Sequence, residues 1–210
     1  MPFLITSDLK VKSAIGGLEY RRPRSPKLPS PFVSACLNYR VLPTRFILVI
    51  QVQPQKMILF ERSRQTGQGF RFPRYHFLRS YRVSTSRFGM GQTAHSNQTP
   101  LGLHCIAQKI GAGHPQGTAL KNREPVGLIW KDKPKAAIVH RILWLEGLQP
   151  GFNRDKNVDT KARYIYIHGV SDELNLGRAV SQGCIHLAAA DLLPLYDLLP
   201  QGTLVWISEI

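Results

Sequence analysis

The sequence predicts a mainly β domain, a β-sandwich or barrel-like fold with one or two short helices, over about residues 46–210. Short runs of β-branched and aromatic residues recur at close spacing, separated by Gly- and Pro-rich breaks. Helical apolar spacing occurs clearly in one later stretch only, "LAAADLLPLYDLL" at 187–199. With 210 residues, 43% of them apolar, the chain can bury a core of that size.

Taken in order, residues 1–45 are rich in Pro, Arg and Ser without helical or strand period, which predicts a basic, disordered N-terminal arm. From Phe46 the texture changes. "FILVIQV" and "KMILFE", separated by "QPQ", predict a hairpin. "FLRSYRVSTS" alternates Leu78, Tyr81 and Val83 with polar residues and predicts the next strand. "TPLGLHCIAQKIGAG" predicts a turn, a strand and a Gly-rich loop. "AAIVHRILWLEGL", "ARYIYIHG" and "GTLVWISEI" predict further strands. In the 187–199 stretch, Pro194 requires the helix either to begin close by or to kink there.

Charge and cysteines narrow the function. The formal net charge is +15, but residues 1–100 hold 16 Lys and Arg against 3 acids, while residues 101–210 hold 12 against 10. Such an excess would suit nucleic acid or an anionic surface. The arginines at 62–87 are spread along strands with no aromatic stacking motif between them, so no nucleic-acid partner is expected. Three widely spaced cysteines, Cys36, Cys105 and Cys184, argue against a disulfide framework and for a reduced or reactive thiol. No apolar run reaches the roughly 18 residues of a membrane span. The N-terminus shows no continuous apolar core after a basic start, which predicts a cytoplasmic protein. Periplasm or cell envelope is the alternative if the true start differs.

The chemistry-bearing stretch is "IHGVSDELNLGRAVSQGCIHL", residues 167–187. Along "YIYIHG" side chains alternate, so Ile165 and Ile167 share the core face, and Tyr164, Tyr166 and His168 share the other. Gly183 gives Cys184 backbone freedom and leaves nearby N–H groups accessible. A thiol that attacks a carbonyl needs a base and oxyanion donors. His168 can supply the first if the loop folds back, and "SQGC", followed by a helix, the second. Two other readings stand beside this one. Cys184 could be a small buried hydrophobe. His168, Cys184 and His186 are also all zinc-ligand types, although no CxxC or HxxxH accompanies them.

The pattern "YIYIHG…LGRAVSQGCIHL" resembles the signature of the L,D-transpeptidase catalytic domain, HG followed after a variable loop by S-H-G-C-[IV]-R. The resemblance extends to the "ILVIQVQPQKMILFE" hairpin, to "YRVSTSRFGMGQ…NQTPLG" and to "LYDLLPQGTLVWI". It implies an L,D-transpeptidase-type β-sandwich acting in bacterial cell-wall biogenesis on peptidoglycan stem peptides or muropeptides. The bond cut would join the L-centre of the third residue, usually diaminopimelate, to a terminal D-alanine. Cys184 would be the nucleophile, His168 the base and acid, and the Gly169 carbonyl would orient the imidazole. Backbone N–H groups of Gly183 and Cys184 would form the oxyanion hole, and Ser181, Gln182 and His186 would contact substrate. No metal or other cofactor is implied. The thioester would be resolved by an amine, giving a 3–3 crosslink, or by water, giving L,D-carboxypeptidase activity.

Two departures from that signature matter. Gln182 stands where the family usually has His, and His186 where it usually has Arg. The second change exchanges a permanent carboxylate-binding fork for a group that is mostly neutral at pH 7. An inactive muropeptide-binding protein is the alternative that these departures raise.

Overall fold

A computed structural model describes residues 25–64 and 72–210 of the chain. Residues 1–24, more than half of the expected disordered arm, lie outside the described residues. Within the arm, Ser30–Asn38 form a helix (α1), which corrects the expectation of disorder up to residue 45. The next strand explains why. Strand β1, Phe46–Gln51, has five consecutive buried residues, "FILVI", so it needs cover on both faces. Phe32, Ala35 and Cys36 of α1 are spaced for one helical face and pack on Ile47 and Val49, the outward side of β1.

Strand β2 (Lys56–Arg62) returns as the second arm of the expected hairpin, with Ile50 opposite Met57. Strands β3 (Tyr75–Ser84) and β4 (Gly102–Ile110) follow, then a short hairpin of β5 (Thr118–Lys121) and β6 (Glu124–Leu128). Strand β7 (Val139–Gly147) leads through a long connection, with a 3₁₀ turn at Lys156–Val158, into β8 (Tyr166–Gly169). A further strand, β9 (Ile185–Leu187), comes before helix α2 (Ala189–Leu198), and β10 (Leu204–Ser208) closes the chain. "SQGC" is thus followed by a strand rather than directly by a helix. Pro194 lies inside α2, where it contributes no backbone donor.

The strands pair in the order β4-β10-β1-β2-β3-β9-β8-β7, and β7 pairs again with β4, so eight strands close into a ring with β5 and β6 as an outrigger on β7. Alternate residues point inward. Leu48, Ile50, Met57, Leu59, Val83, Ile106, Leu143, Leu145, Ile167, Ile185, Val205 and Ile207 fill the interior, and Leu192, Leu195 and Tyr196 of α2 plug one side of it. Burying each large aliphatic side chain stabilises the fold by about 1.5–3 kcal/mol. This closed core is the rigid mounting for β8 and β9. Among the described residues no helix is long and apolar enough to cross a membrane.

Candidate active site

Strands β8 and β9 are parallel neighbours, with Ile167 beside Ile185, His168 beside His186 and Gly169 beside Leu187. Ile167, Ile185 and Leu187 face the barrel interior. Alternation therefore turns His168, His186 and Cys184 outward on one shared face. The loop between them folds back. It is fastened to the end of β3, where Gly177 N–H donates to Val83 O (3.0 Å) and Ser181 N–H to Thr85 O (3.0 Å). Cys184, His168, Gln182 and His186 line one cavity of about 490 Å³, with Lys135, Asp172 and Asn175 also on its wall.

His168 is 3% exposed and donates from Nδ1 to the Gly169 carbonyl at 2.8 Å. A carbonyl can only accept, so Nδ1 carries the proton and Nε2 is left as the basic nitrogen. Nε2 has no partner among the described residues and opens on the cavity. Gly169 itself sits against β7, where an added Cβ would lie 2.5 Å from His140 Cδ2 and 2.8 Å from Val139 O. Only glycine lets β7 and β8 approach this closely, and that approach fixes the carbonyl that holds His168.

Burial drives the His168 imidazole down to about 3, helped by the neighbouring His186 and opposed by the bond to Gly169 O. The two imidazole rings lie 4.8 Å apart between centroids. Burial also lowers His186 to about 4. Both rings are neutral at pH 7. Cys184 is partly open to the cavity, yet burial pushes its thiol up to about 11, against the Tyr166 N–H and the Arg163 charge, which pull it down. The thiol donates to Tyr164 O (3.5 Å), and Tyr166 N–H donates to Sγ (3.4 Å). Among the described residues Cys184 and His168 share no hydrogen bond, so the pair rests as neutral thiol and neutral imidazole.

Two of the expected site residues take different parts in the structure. Ser181 is 2% exposed. Its Oγ donates to Cys184 O (2.6 Å) and accepts from Gly183 N–H (3.2 Å). Ser181 borders the cavity, but its hydroxyl is tied up as a staple across the Ser181–Cys184 turn. The Gly183 N–H is engaged by that staple, which leaves Cys184 N–H as the turn's free donor among the described residues. Gly183 has φ +115°, a backbone conformation that a side chain would strain. Its carbonyl accepts from Thr99 Oγ1 at 3.1 Å, so the "NQTPLG" turn braces the Ser181–Cys184 turn. Gln182 and His186 do reach the cavity.

Sequence reasoning missed Arg163. Its guanidinium donates to the carbonyls of Gly91 (3.1 Å), Gln92 (2.9 Å) and Gln98 (2.6 Å). It thereby holds the 91–98 loop against the Ser181–Cys184 turn and places a fixed cation near Cys184. A second cavity of about 320 Å³ opens there, between His95, Asn97, Lys156, Arg163 and Tyr164, and it shares Gln182 with the first. The only sequence sign of Arg163 was one basic residue just ahead of β8. Among the described residues no group of three or more His, Cys, Asp or Glu side chains is placed to hold a metal.

The YkuD family model, the L,D-transpeptidase catalytic domain, matches residues 45–207. No curated protein matches the chain. Among solved structures, Bd1075 of Bdellovibrio bacteriovorus superposes with a TM-score of 0.50 at 13% identity, over 79% of this chain and 48% of that one. An L,D-transpeptidase from Mycobacterium smegmatis gives 0.43 at 15%, covering 78% and 58%. L,D-transpeptidase 3 from Mycobacterium tuberculosis gives 0.45 at 16%, covering 79% and 61%. The chain thus spans about half to three-fifths of the length of these proteins.

Proposed function

Because the chain belongs to the L,D-transpeptidase catalytic-domain family, we propose that it is a cysteine acyltransferase cutting the bond between the third residue and D-alanine of a peptidoglycan stem peptide. One observation carries the proposal. Cys184 and His168 line the same cavity, and His168 is tied through Nδ1 to Gly169 O so that Nε2 remains basic. For attack, the thiol turns about Cα–Cβ from Tyr164 O towards Nε2, which takes its proton. Sγ bonds to the carbonyl carbon. Cys184 N–H meets the oxyanion, and the Tyr166 N–H and the Arg163 charge support the developing thiolate. The C–N bond then breaks, the proton on Nε2 passes to the departing D-alanine amine, and a thioester on Cys184 remains. An amine or a water molecule, deprotonated by the same Nε2, resolves it to a 3–3 crosslinked product or a tripeptide.

The test combines product analysis on tetrapeptide substrates with intact mass after incubation with a carbapenem, a class that acylates many members of this family. Cys184→Ala should lose both turnover and the adduct while keeping the fold. His168→Ala should lose about 10²–10⁴ in rate, the range of base catalysis. Turnover by Cys184→Ala would remove the assignment. Free D-alanine with tripeptide identifies water as the acceptor, and 3–3 dimers identify an amine.

A further inference from the structure

The reaction proposed above, on which this inference rests, acts beside a carboxylate, so the donor cavity needs a cation. Where the family usually has arginine, this chain has His186, which burial keeps neutral at pH 7. Arg163 is committed to the carbonyls of Gly91, Gln92 and Gln98. Among the described residues that line the 490 Å³ cavity with Cys184 and His168, Lys135 is the only lysine or arginine. It sits in the exposed connection between β6 and β7, and no ion pair or hydrogen bond among the described residues occupies it. The one carboxylate on the same wall, Asp172, is engaged elsewhere, accepting from Leu174 N–H (3.0 Å) and Asn175 Nδ2 (3.1 Å).

We propose that Lys135 is the carboxylate anchor of the donor cavity, in place of the arginine that position 186 lacks. An ammonium on a flexible stem suits the task. It needs no fixed fork, and its free charge can follow the carboxylate as the peptide settles. Two carboxylates of a stem peptide could meet it, that of the terminal D-alanine and that on the side chain of a diaminopimelate third residue.

The experiment compares wild type, Lys135→Gln and Lys135→Arg on three tetrapeptides: the free acid, its D-alanine carboxamide, and one with lysine at the third position. Lys135→Gln should lower kcat/KM on the free acid by about tenfold, mostly through KM, and Lys135→Arg should restore most of it. The loss should vanish on whichever analogue lacks the anchored carboxylate, which identifies that carboxylate. Alkylation of Cys184 by uncharged iodoacetamide should not change. Equal losses on all three peptides, or no loss on the free acid, overturn the anchor while leaving the enzyme reading intact. If wild type turns over none of them, the enzyme reading falls. The anchor is then judged by calorimetric binding of the free acid to Cys184→Ala with and without Lys135→Gln, and equal affinities overturn it too.

Discussion

Four buried or largely buried histidines make the stability of this fold steeply sensitive to mild acid, three of them strongly shifted and the fourth, His140, also lowered by burial. His104 in β4 donates from Nδ1 to Gly102 O (3.0 Å) and accepts at Nε2 from Thr160 Oγ1 (3.1 Å), while burial lowers it to about 4. His168 lies at about 3 and His186 at about 4. In the unfolded chain each returns to about 6.5. These groups are depressed by folding, so their contribution is fully present above pH 6.5 and is lost as pH falls towards their folded values. Within that window each removes about 1.4 kcal/mol per pH unit, and the three together about 4 kcal/mol per unit. Between pH 6.5 and about pH 5 the three lose about 5 kcal/mol, comparable with the whole stability of many domains, about 5–15 kcal/mol. Most carboxylates titrate near pH 4 and contribute little in this interval. Denaturant unfolding followed by tryptophan fluorescence, in steps from about pH 7.5 to about pH 5, reads the slope directly. His186→Gln should reduce it by about a quarter to a third, since His140 adds to the same slope. Stability that stays flat across the interval would refute the reasoning, because it would mean that the histidines are already solvated or charged at neutral pH.

Two further outcomes follow from contacts around the dyad. Gly169→Ala drives a methyl group into Val139 O and His140 Cδ2, so it should cost about 1–3 kcal/mol in unfolding free energy. Because it also displaces the carbonyl that holds His168, kcat should fall more than KM rises; unchanged kcat would show that the carbonyl does not set the imidazole. Arg163→Met strands three loop carbonyls and removes the cation near the thiol. It should lose about 3 kcal/mol of stability and move the pH profile of Cys184 alkylation upward. Arg163→Lys should return the profile but only part of the stability, and a profile unmoved in Arg163→Met would leave the residue a loop clamp alone.

The face of His168 was legible because strand alternation is a local rule, whereas that of Cys184 was not, because β9 was not expected. Ile165 and Ile167 announce the core side, and His168 must then turn away. The Ser181–Cys184 turn was half legible. Glycine before Cys184 signals an unusual backbone, but nothing local says that the Ser181 hydroxyl folds inward to occupy the Gly183 N–H. Seven of the ten strands could be read, but the short β5, β6 and β9 could not, nor could the closure, since the β4–β7 and β1–β10 pairings join segments far apart in sequence. Helix α1 was hidden by composition. Phe32, Ala35 and Cys36 have helical spacing, yet they follow a Pro- and Arg-rich stretch that reads as disordered. The better clue lay downstream, in a strand apolar on both faces that had to be covered from outside. Lys135 carries no local signal at all, and its meaning comes only from the wall it shares with Cys184.

The fastening of the 170–183 loop has a consequence for how a member of this family can change. The positions of His168 and Cys184 are set by the ladder between β8 and β9, and the loop joining them is attached separately, to β3 and, through Glu173, to the Ala189 N–H at the start of α2 (2.7 Å). Chain added or removed at its exposed tip, beside Leu174, alters the mouth of the cavity without shifting the register beneath it. Reactivity and reach are therefore carried by different parts of the same short segment. Under the proposed function, the substrate range can change at the tip while the face that carries Cys184 and His168 stays as it is.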